Sequence, residues 1–122
     1  MFPDNQRYKM NGLKIAQRKA YESTFKRARI GSVITKGGRV IATGINQTRR
    51  SKKAARSMYE SLHAEEAAIL RVLRKPDGLK LLAGSTIYVT RILKNGETAL
   101  AKPCPSCQAL INSVGIKKII HT

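Results

Sequence analysis

The chain has 122 residues, of which 42% are hydrophobic, and this length and composition suit one packed domain and exclude wholesale disorder. Its 24 Lys and Arg residues against 7 Asp and Glu residues give a net charge of +17, which predicts a polyanionic partner such as a nucleotide, a nucleic acid or an anionic surface. No apolar run approaches the roughly 18 residues of a membrane-spanning helix and no secretory signal is present, so we expect a cytoplasmic protein that does not enter membranes.

The first half of the chain predicts a helix and a hairpin. Apolar residues recur at helical spacing from Met10 to Phe25, with basic residues between them, and indicate an amphipathic helix. Residues 30–35 and 39–45 are rich in β-branched side chains and flank a Gly-Gly step, which is typical of a β-hairpin. A polar stretch follows over residues 46–57.

The second half predicts alternating helices and strands. We expect a helix over residues 61–74 that ends before Pro76, and a strand over residues 86–90. A turn at 94–97 leads to a third helix over 105–114, and a last strand covers 116–121. The order α-β-β-α-β-α-β predicts an α/β fold in which helices cover a mixed sheet of about four strands, as a single domain over residues 1–122.

Two cysteines open the predicted third helix. Cys104 and Cys107 lie three residues apart, and Ile111 and Val114 continue the same helical face, so both sulfurs should point inward where the helix dipole favours thiolate. Without an export signal, the pair indicates a metal or redox site rather than a disulfide framework. Taken alone, the motif also resembles a glutaredoxin-type redox pair.

A histidine and a glutamate open the predicted second helix. Glu65 shares a helical face with Leu62, Ile69 and Val72, and a core-facing carboxylate is costly unless it has a partner or a task. Taken singly, His63 is more often a surface or capping residue, and Glu65 is more often an ordinary first-turn acid.

Together, the two helix starts predict a catalytic zinc site. If they converge at one edge of the sheet, His63, Cys104 and Cys107 supply three ligands and leave the fourth tetrahedral position to water. Three protein ligands and a water are the coordination of a catalytic zinc rather than a structural one. Glu65, close to that water without binding the metal, would shuttle protons.

The same residues resemble a known family signature. His63-Ala64-Glu65 followed by Pro103-Cys104-Pro105-Ser106-Cys107 is similar to the H-x-E…P-C-x-x-C pattern of the zinc-dependent cytidine/deoxycytidylate deaminase superfamily. The residues after Glu65 are most similar to the deoxycytidylate and tRNA-adenosine deaminase branches, and the element order agrees over nearly the whole chain.

The resemblance implies a three-layer α-β-α fold, one catalytic Zn²⁺ and a hydrolytic deamination in which Glu65 carries protons to the base and to the leaving ammonia. It also implies that Asn46 contacts the sugar and that the backbone at Ala64 lines the base pocket. Members of the superfamily are commonly oligomers, so we expect a homo-oligomer. Many relatives run directly from a Tyr-Val-Thr strand into Glu-Pro-Cys, whereas residues 91–102 intervene here, and we expect this segment to reshape the pocket rim.

The densest basic run bears on the substrate. On the implied fold it borders the pocket, and although charge runs are usually solvated, five cations beside a base pocket favour phosphate binding. The candidates are Arg49, Arg50, Lys52, Lys53 and Arg56. A cytosine nucleotide of the dCMP or CMP type is the first substrate hypothesis, because the resemblance favours it. Editing of cytosine or adenosine within single-stranded DNA or RNA is the second, because the charge exceeds the need of one phosphate.

Two observations weigh against the other hypotheses. Aromatic residues are sparse, with Tyr8, Tyr59 and Tyr88 as candidates for base stacking, which weakens the case for an extended nucleic-acid platform. A non-catalytic, zinc-stabilised nucleic-acid-binding protein would need a fourth ligand, for which His121 is the only other histidine. That third hypothesis also leaves the core-facing Glu65 without a purpose.

Overall fold

The computed structural model describes residues 4–25, 27–48 and 61–122, and within these ranges the chain forms four α-helices and seven β-strands. In chain order they are α1 (Asp4–Ala20), β1 (Ala28–Lys36), β2 (Arg39–Ile45), β3 (Gln47–Thr48), β4 (Ser61–Leu62), α2 (Ala64–Leu73), α3 (Gly78–Leu82), β5 (Thr86–Leu93), β6 (Thr98–Ala99), α4 (Pro105–Ser113) and β7 (Lys118–His121). The longer elements follow the predicted order α-β-β-α-β-α-β.

Strands β1 and β5 form the centre of a mixed sheet. β1 pairs antiparallel with β2 on one side and with β5 on the other, and β5 pairs in parallel with β7. Because β1 pairs with β5 from Thr86 to Leu93, β6 and β7 share the opposite edge of β5. The mixed α/β sheet is confirmed, with five strands rather than four because the two-residue β6 is too short to show a sequence pattern.

Helices cover both faces of this sheet. Alternate residues of β5 point to opposite faces, as strand geometry requires. Val89 packs with Ile69 of α2 and Ile111 of α4 in the larger core, whereas Tyr88 packs with Ala16 of α1 in the smaller one. The expected three layers are therefore present. Within the described ranges, none of the helices has the length and hydropathy of a membrane span.

Gly44 lets β2 approach the first turn of α2. A Cβ at this position would lie 2.2 Å from the carbonyl oxygen of Ala64 and 2.6 Å from the amide nitrogen of Ala68, both of which are rigid backbone atoms. The absence of a side chain at Gly44 therefore sets how close the start of α2 comes to the sheet.

The first helix is shorter at its C-terminal end than predicted. It ends at Ala20 rather than Phe25 because the backbone N–H of Ser23 turns back to the Ala20 carbonyl, 3.0 Å away. The Ser23 hydroxyl oxygen then lies 3.0 Å from the backbone carbonyl oxygen of Asn46, and it accepts the Phe25 N–H at 3.1 Å. These contacts direct residues 21–25 away from the helix axis and towards the cavity described below.

The second helix begins later than predicted. Ser61 and Leu62 pair with Thr48 and Gln47 as β4 and β3, so the helix starts at Ala64 rather than at residue 61. The five-residue α3, which follows Pro76, was not predicted because so short a helix shows no periodicity. The last strand begins at Lys118 rather than at residue 116.

Candidate active site

His63 stands between a strand and a helix. The β3–β4 pair fixes the chain directly before it, and His63 is the N-cap residue of α2 with an extended backbone. Its backbone N–H donates to a carboxylate oxygen of Glu66 at 3.3 Å, and its carbonyl accepts the Ala67 N–H at 2.9 Å. This combination of strand pairing and capping holds the imidazole, which is partly exposed, at the start of the helix.

The cysteines lie at the start of α4. Cys104 is the N-cap residue, Pro105 occupies the first turn, and Cys107 is 5% exposed. Proline suits a first turn because its missing N–H would have no partner there. The helix therefore begins at the motif itself and presents both sulfurs at its N-terminus, where the dipole favours negative charge.

The two helix starts converge as predicted. Nδ1 of His63 lies 3.2 Å from Sγ of Cys107 and 3.8 Å from Sγ of Cys104, and the three candidate ligand atoms lie within 4.8 Å of one another. Ideal tetrahedral zinc with N and S ligands at ordinary bond lengths places such atoms about 3.5 Å apart. An imidazole and two thiols at these separations fit a zinc ion, with a fourth position left for a non-protein ligand.

The two thiols have different electrostatic surroundings. A hydrogen bond with the Ser106 hydroxyl, whose oxygen lies 3.3 Å from Sγ, lowers the pKa of Cys104 to about 7, with a further contribution from the backbone N–H of Cys107. Burial raises the pKa of Cys107, and the negative charge of Glu65 raises it further. A bound dication would instead lower the pKa of Cys107, because a metal deprotonates a thiol that coordinates it.

Glu65 is a buried carboxylate beside the ligand cluster. Its side chain is 4% exposed, and burial raises its pKa, although a backbone hydrogen bond, the charge of His63 and a hydrogen bond with Cys107 partly oppose that effect. A carboxyl group with a raised pKa exchanges a proton more readily near neutral pH. The predicted inward orientation of Glu65 is thus what the structure shows.

A cavity of about 590 Å³ opens beside the candidate ligands. Its walls combine apolar side chains from β1 and β5 with polar and charged groups at the rim. The described residues that line it are Thr24, Phe25, Arg27, Ala28, Ile30, Asn46, His63, Glu65, Val89, Arg91, Leu100, Ala101, Lys102 and Cys104. Residues 100–102 come from the segment expected to reshape the rim, and they do line the cavity.

Asn46 lies at the cavity and is also a structural residue. Its Oδ1 accepts the Ile30 N–H at 3.0 Å and a short hydrogen bond from the Ser23 hydroxyl, while Nδ2 donates to the Ala28 carbonyl at 2.9 Å. The amide therefore fixes the start of β1 against the end of β2. Its contact with a sugar stays a prediction.

Ala64 lies between two residues that line the cavity, His63 and Glu65. The residue is fully buried, its carbonyl accepts a hydrogen bond from the Ser32 hydroxyl at 2.7 Å, and it is not among the described lining residues. The contact between its backbone and a base stays a prediction.

The other sequence candidates lie away from the ligand cluster or outside the described ranges. The five cations of residues 49–56, and Tyr59, belong to the part of the chain that is not described, and the side chain of Tyr8 is not described either. Tyr88 is buried beneath Gly12 of α1, so it offers no stacking surface. His121 lies on β7 with Nδ1 2.8 Å from the Thr122 carbonyl oxygen, outside the ligand cluster found among the described residues.

Three cations that sequence reasoning did not select line the cavity: Arg27, Arg91 and Lys102. The predicted first helix extended to Phe25 and so concealed the turn that brings Arg27 to the rim. Arg91 and Lys102 are the first and last residues of the segment 91–102. The presence of this segment, where many relatives run directly into Glu-Pro-Cys, is the sequence feature that could have drawn attention to them.

Comparison with known families supports the sequence signature. The profile of the cytidine and deoxycytidylate deaminase zinc-binding region matches residues 4–122. An uncharacterized deaminase in the luxG 3′ region of Aliivibrio fischeri is 32% identical over 97 residues, which are 74% of this chain and 55% of that protein. The deoxycytidylate deaminase of Mycobacterium phage D29 is 29% identical over 129 residues, covering 89% of each chain. This chain thus spans little more than half the length of the Aliivibrio protein.

Solved structures share the fold. The dCMP deaminase of cyanophage S-TIM5, in its apo form, superposes with a TM-score of 0.73 at 24% identity and covers 99% of this chain and 84% of its own. Cytidine deaminase from Mycobacterium tuberculosis gives a TM-score of 0.57 at 19% identity, covering 93% of this chain and 83% of its own. At these identities the similarity shows a common architecture.

Proposed function

The chain belongs to the cytidine and deoxycytidylate deaminase zinc-binding family, and from that membership we propose that it hydrolytically deaminates a cytosine nucleotide of the dCMP or CMP type. The products are the uracil nucleotide and ammonia. One observation carries the proposal: the buried carboxylate of Glu65 lines the same cavity as two members of a His-Cys-Cys cluster with zinc-site dimensions. A stabilising metal site alone would not need that carboxylate.

Each residue at the cluster has a distinct part in this reaction. His63, Cys104 and Cys107 hold the zinc, which when bound supplies Lewis-acid activation of a water molecule. Glu65 takes a proton and returns protons to the base ring and to the departing amine. Its raised pKa suits this role, because a proton carrier works best when its pKa lies near the working pH.

The cavity suits a mononucleotide. Its volume of about 590 Å³ falls in the usual range for small-molecule sites, and Ile30 and Val89 offer an apolar wall for a base. The similarity to the phage D29 deoxycytidylate deaminase, which extends over 89% of both chains, favours a nucleotide over a free base.

Deamination within a single strand of DNA or RNA is the second candidate. The net charge of +17 favours it, and Leu100 at the cavity rim is 68% exposed, where a neighbouring base would find an apolar contact. The burial of Tyr88 removes one predicted stacking residue and weakens it. A non-catalytic zinc-stabilised binding protein is disfavoured, because the described cluster offers three ligands rather than four.

A substrate panel at two salt concentrations tests the proposal. Ammonia release from zinc-loaded protein is measured with dCMP, CMP, deoxycytidine, single-stranded oligonucleotides and tRNA. We expect the highest kcat/KM for dCMP or CMP, with a shallow salt dependence, whereas contacts to many phosphates would give a steep one. Absence of ammonia release from the whole panel by zinc-loaded protein would refute the deaminase activity.

An exposed apolar surface on α2 and α3 supports the expected homo-oligomer. Leu70 and Leu73 point outward from α2 and Leu79 of α3 is 63% exposed, in a region where a surface helix normally carries polar residues. Sedimentation at several protein concentrations tests this expectation, and a monomer at every concentration would contradict it.

A further inference from the structure

Arg91 has an unusual position in the sheet. It lies on β5 between Ile30 of β1 and Ala99 of β6, and it faces the same side of the sheet as Val89, two residues before it. Arg91, Ile30 and Val89 all line the cavity that contains Glu65. Arg91 therefore lies beside two apolar lining residues of the candidate active site.

This arginine lacks a partner in the described part of the chain. Its Nε is buried and makes no hydrogen bond there, and the ion pair found among the same residues joins Lys19 and Glu22, neither of which is among the lining residues of the cavity. Lys102, on the same cavity, is likewise absent from the described ion pairs. Lys102 is exposed, whereas Arg91 is half-buried, and a partly desolvated cation without a counter-charge is unfavourable unless a ligand supplies one.

Hydrogen bonds to Thr122 hold the backbone of residues 91–101 in place. The Arg91 N–H donates to Oγ1 of Thr122 at 3.3 Å, and that hydroxyl donates to the Ala99 carbonyl at 2.6 Å. The Ala101 N–H donates to the Thr122 carbonyl at 2.9 Å, directly before Lys102. Thr122 thus joins the backbone of Arg91 to the backbone on both sides of Leu100, so the strand that carries Arg91 and the residues directly before Lys102 are held together.

We propose that Arg91 and Lys102 form a phosphate subsite that makes the enzyme select phosphorylated substrates over neutral nucleosides, with Arg91 as the specificity-determining residue. This inference rests on the proposed nucleotide deamination. The Arg91 guanidinium offers a fork of N–H donors that matches phosphate oxygens, and the exposed Lys102 adds a point charge at the same cavity. The ligand is a phosphate ester, supplied either by a mononucleotide or by one linkage of a single strand.

The first experiment compares kcat/KM for dCMP and deoxycytidine in zinc-loaded variants. We expect Arg91→Gln to lower the dCMP-to-deoxycytidine ratio about 10- to 100-fold, as the loss of hydrogen bonds to a charged group predicts, with Arg91→Lys intermediate. Lys102→Gln should lower it about 3- to 10-fold. Lys94→Gln is the matched control, because Lys94 is an exposed cation at the tip of the same hairpin and does not line the cavity.

The second experiment measures phosphate binding without turnover. Titration of zinc-loaded protein with inorganic phosphate, followed by ³¹P line broadening, should show about tenfold weaker binding in Arg91→Gln and unchanged binding in Lys94→Gln. Circular dichroism and zinc content establish that each variant is folded. If Arg91→Gln does not fold, the substrate ratio and phosphate binding of Arg91→Lys and Lys102→Gln are compared with those of the wild type instead.

The outcomes separate this inference from the proposed function. If the wild type deaminates dCMP and the Arg91 variants keep both the substrate ratio and phosphate binding within twofold, the subsite is wrong and the function stands. If the wild type deaminates neither dCMP nor CMP but phosphate binding depends on Arg91, the subsite stands and the function fails. If Arg91→Gln lowers kcat/KM only for oligonucleotides, the subsite stands and the phosphate that it binds is a linkage of a single strand.

Discussion

Nδ1 of His63 lies 3.2 Å from Sγ of Cys107, although 44 residues separate them along the chain. Two independent pieces of local structure produce this proximity: the β3–β4 pair before His63 and the proline-initiated start of α4 before Cys107. Strands β2 and β5 both run antiparallel to β1, so they end at the same end of the sheet, and α2 and α4 begin after them there.

Replacement of Glu65 should abolish turnover while leaving the metal site intact. Glu65→Gln keeps the size of the side chain but cannot carry a proton, so we expect kcat to fall about 10²- to 10⁴-fold, the usual contribution of general acid–base catalysis. Zinc content, measured by atomic absorption, should stay near one ion per chain. Glu97→Gln, in the exposed turn between β5 and β6, is the control. Retained deamination in Glu65→Gln would exclude the proposed proton transfer.

Zinc affinity should rise with pH. Burial raises the pKa of Cys107, so zinc must displace a proton from this thiol across the neutral range, whereas Cys104, with a pKa of about 7, is already a thiolate above that pH. From the cysteines alone, affinity should increase about tenfold per pH unit above pH 7 and more steeply, towards about a hundredfold, below it. Competition with a chelator between pH 6.5 and 8.5 measures this slope. A flat profile would argue against thiolate ligands.

Replacement of Cys107 should remove the metal and leave a folded protein. The larger hydrophobic core lies between the sheet and α2, α3 and α4 without any metal, so Cys107→Ser should fold and lose zinc. The sulfur is buried, and we expect the loss of its packing to cost about 1–2 kcal/mol of unfolding free energy in the apo protein. Urea unfolding of both apo proteins measures it, and zinc binding of unchanged affinity in Cys107→Ser would contradict the ligand assignment.

A side chain at Gly44 should disturb the metal site from a distance. The Cβ of Gly44→Ala would meet the Ala64 carbonyl at 2.2 Å, so α2 must move, at a cost of about 3 kcal/mol. Because His63 directly precedes this helix, zinc affinity should also fall. At Gly37 a Cβ meets open space, so Gly37→Ala carries only the strain of its positive φ, about 1–2 kcal/mol, and should leave zinc affinity unchanged. Equal effects of the two variants on zinc would contradict this coupling.

Loss of the Asn46 side chain should affect stability as well as substrate binding. Asn46→Ala removes three hydrogen bonds that join Ser23, Ala28 and Ile30 to the end of β2, and we expect about 2–3 kcal/mol of destabilisation. A sugar contact would add a rise in KM for dCMP. Thermal unfolding together with steady-state kinetics separates the two, and a rise in KM without any loss of stability would mean that the network is unimportant.

The candidate site could be predicted from sequence more fully than the cavity around it. The i, i+3 spacing of Cys104 and Cys107 and the shared face of Glu65 and Ile69 are local properties of helices, so the pattern alone indicates which way these side chains point. Arg27 was missed because the helical pattern of α1 runs on past its true end at Ala20, where the Ser23 N–H bonds the Ala20 carbonyl and the Ser23 side chain contacts the distant Asn46. Strand β6 and helix α3 were missed because elements of two and five residues are too short to show a periodic pattern of apolar residues.

The β3–β4 pair joins two parts of the candidate site that are separated along the chain. Gln47 pairs with Leu62 and Thr48 pairs with Ser61, and the sequence between the two strands contains the densest basic run of the chain. Because Asn46 directly precedes the first of these strands and His63 directly follows the second, a change in this short pairing acts on the cavity and on the candidate metal site together.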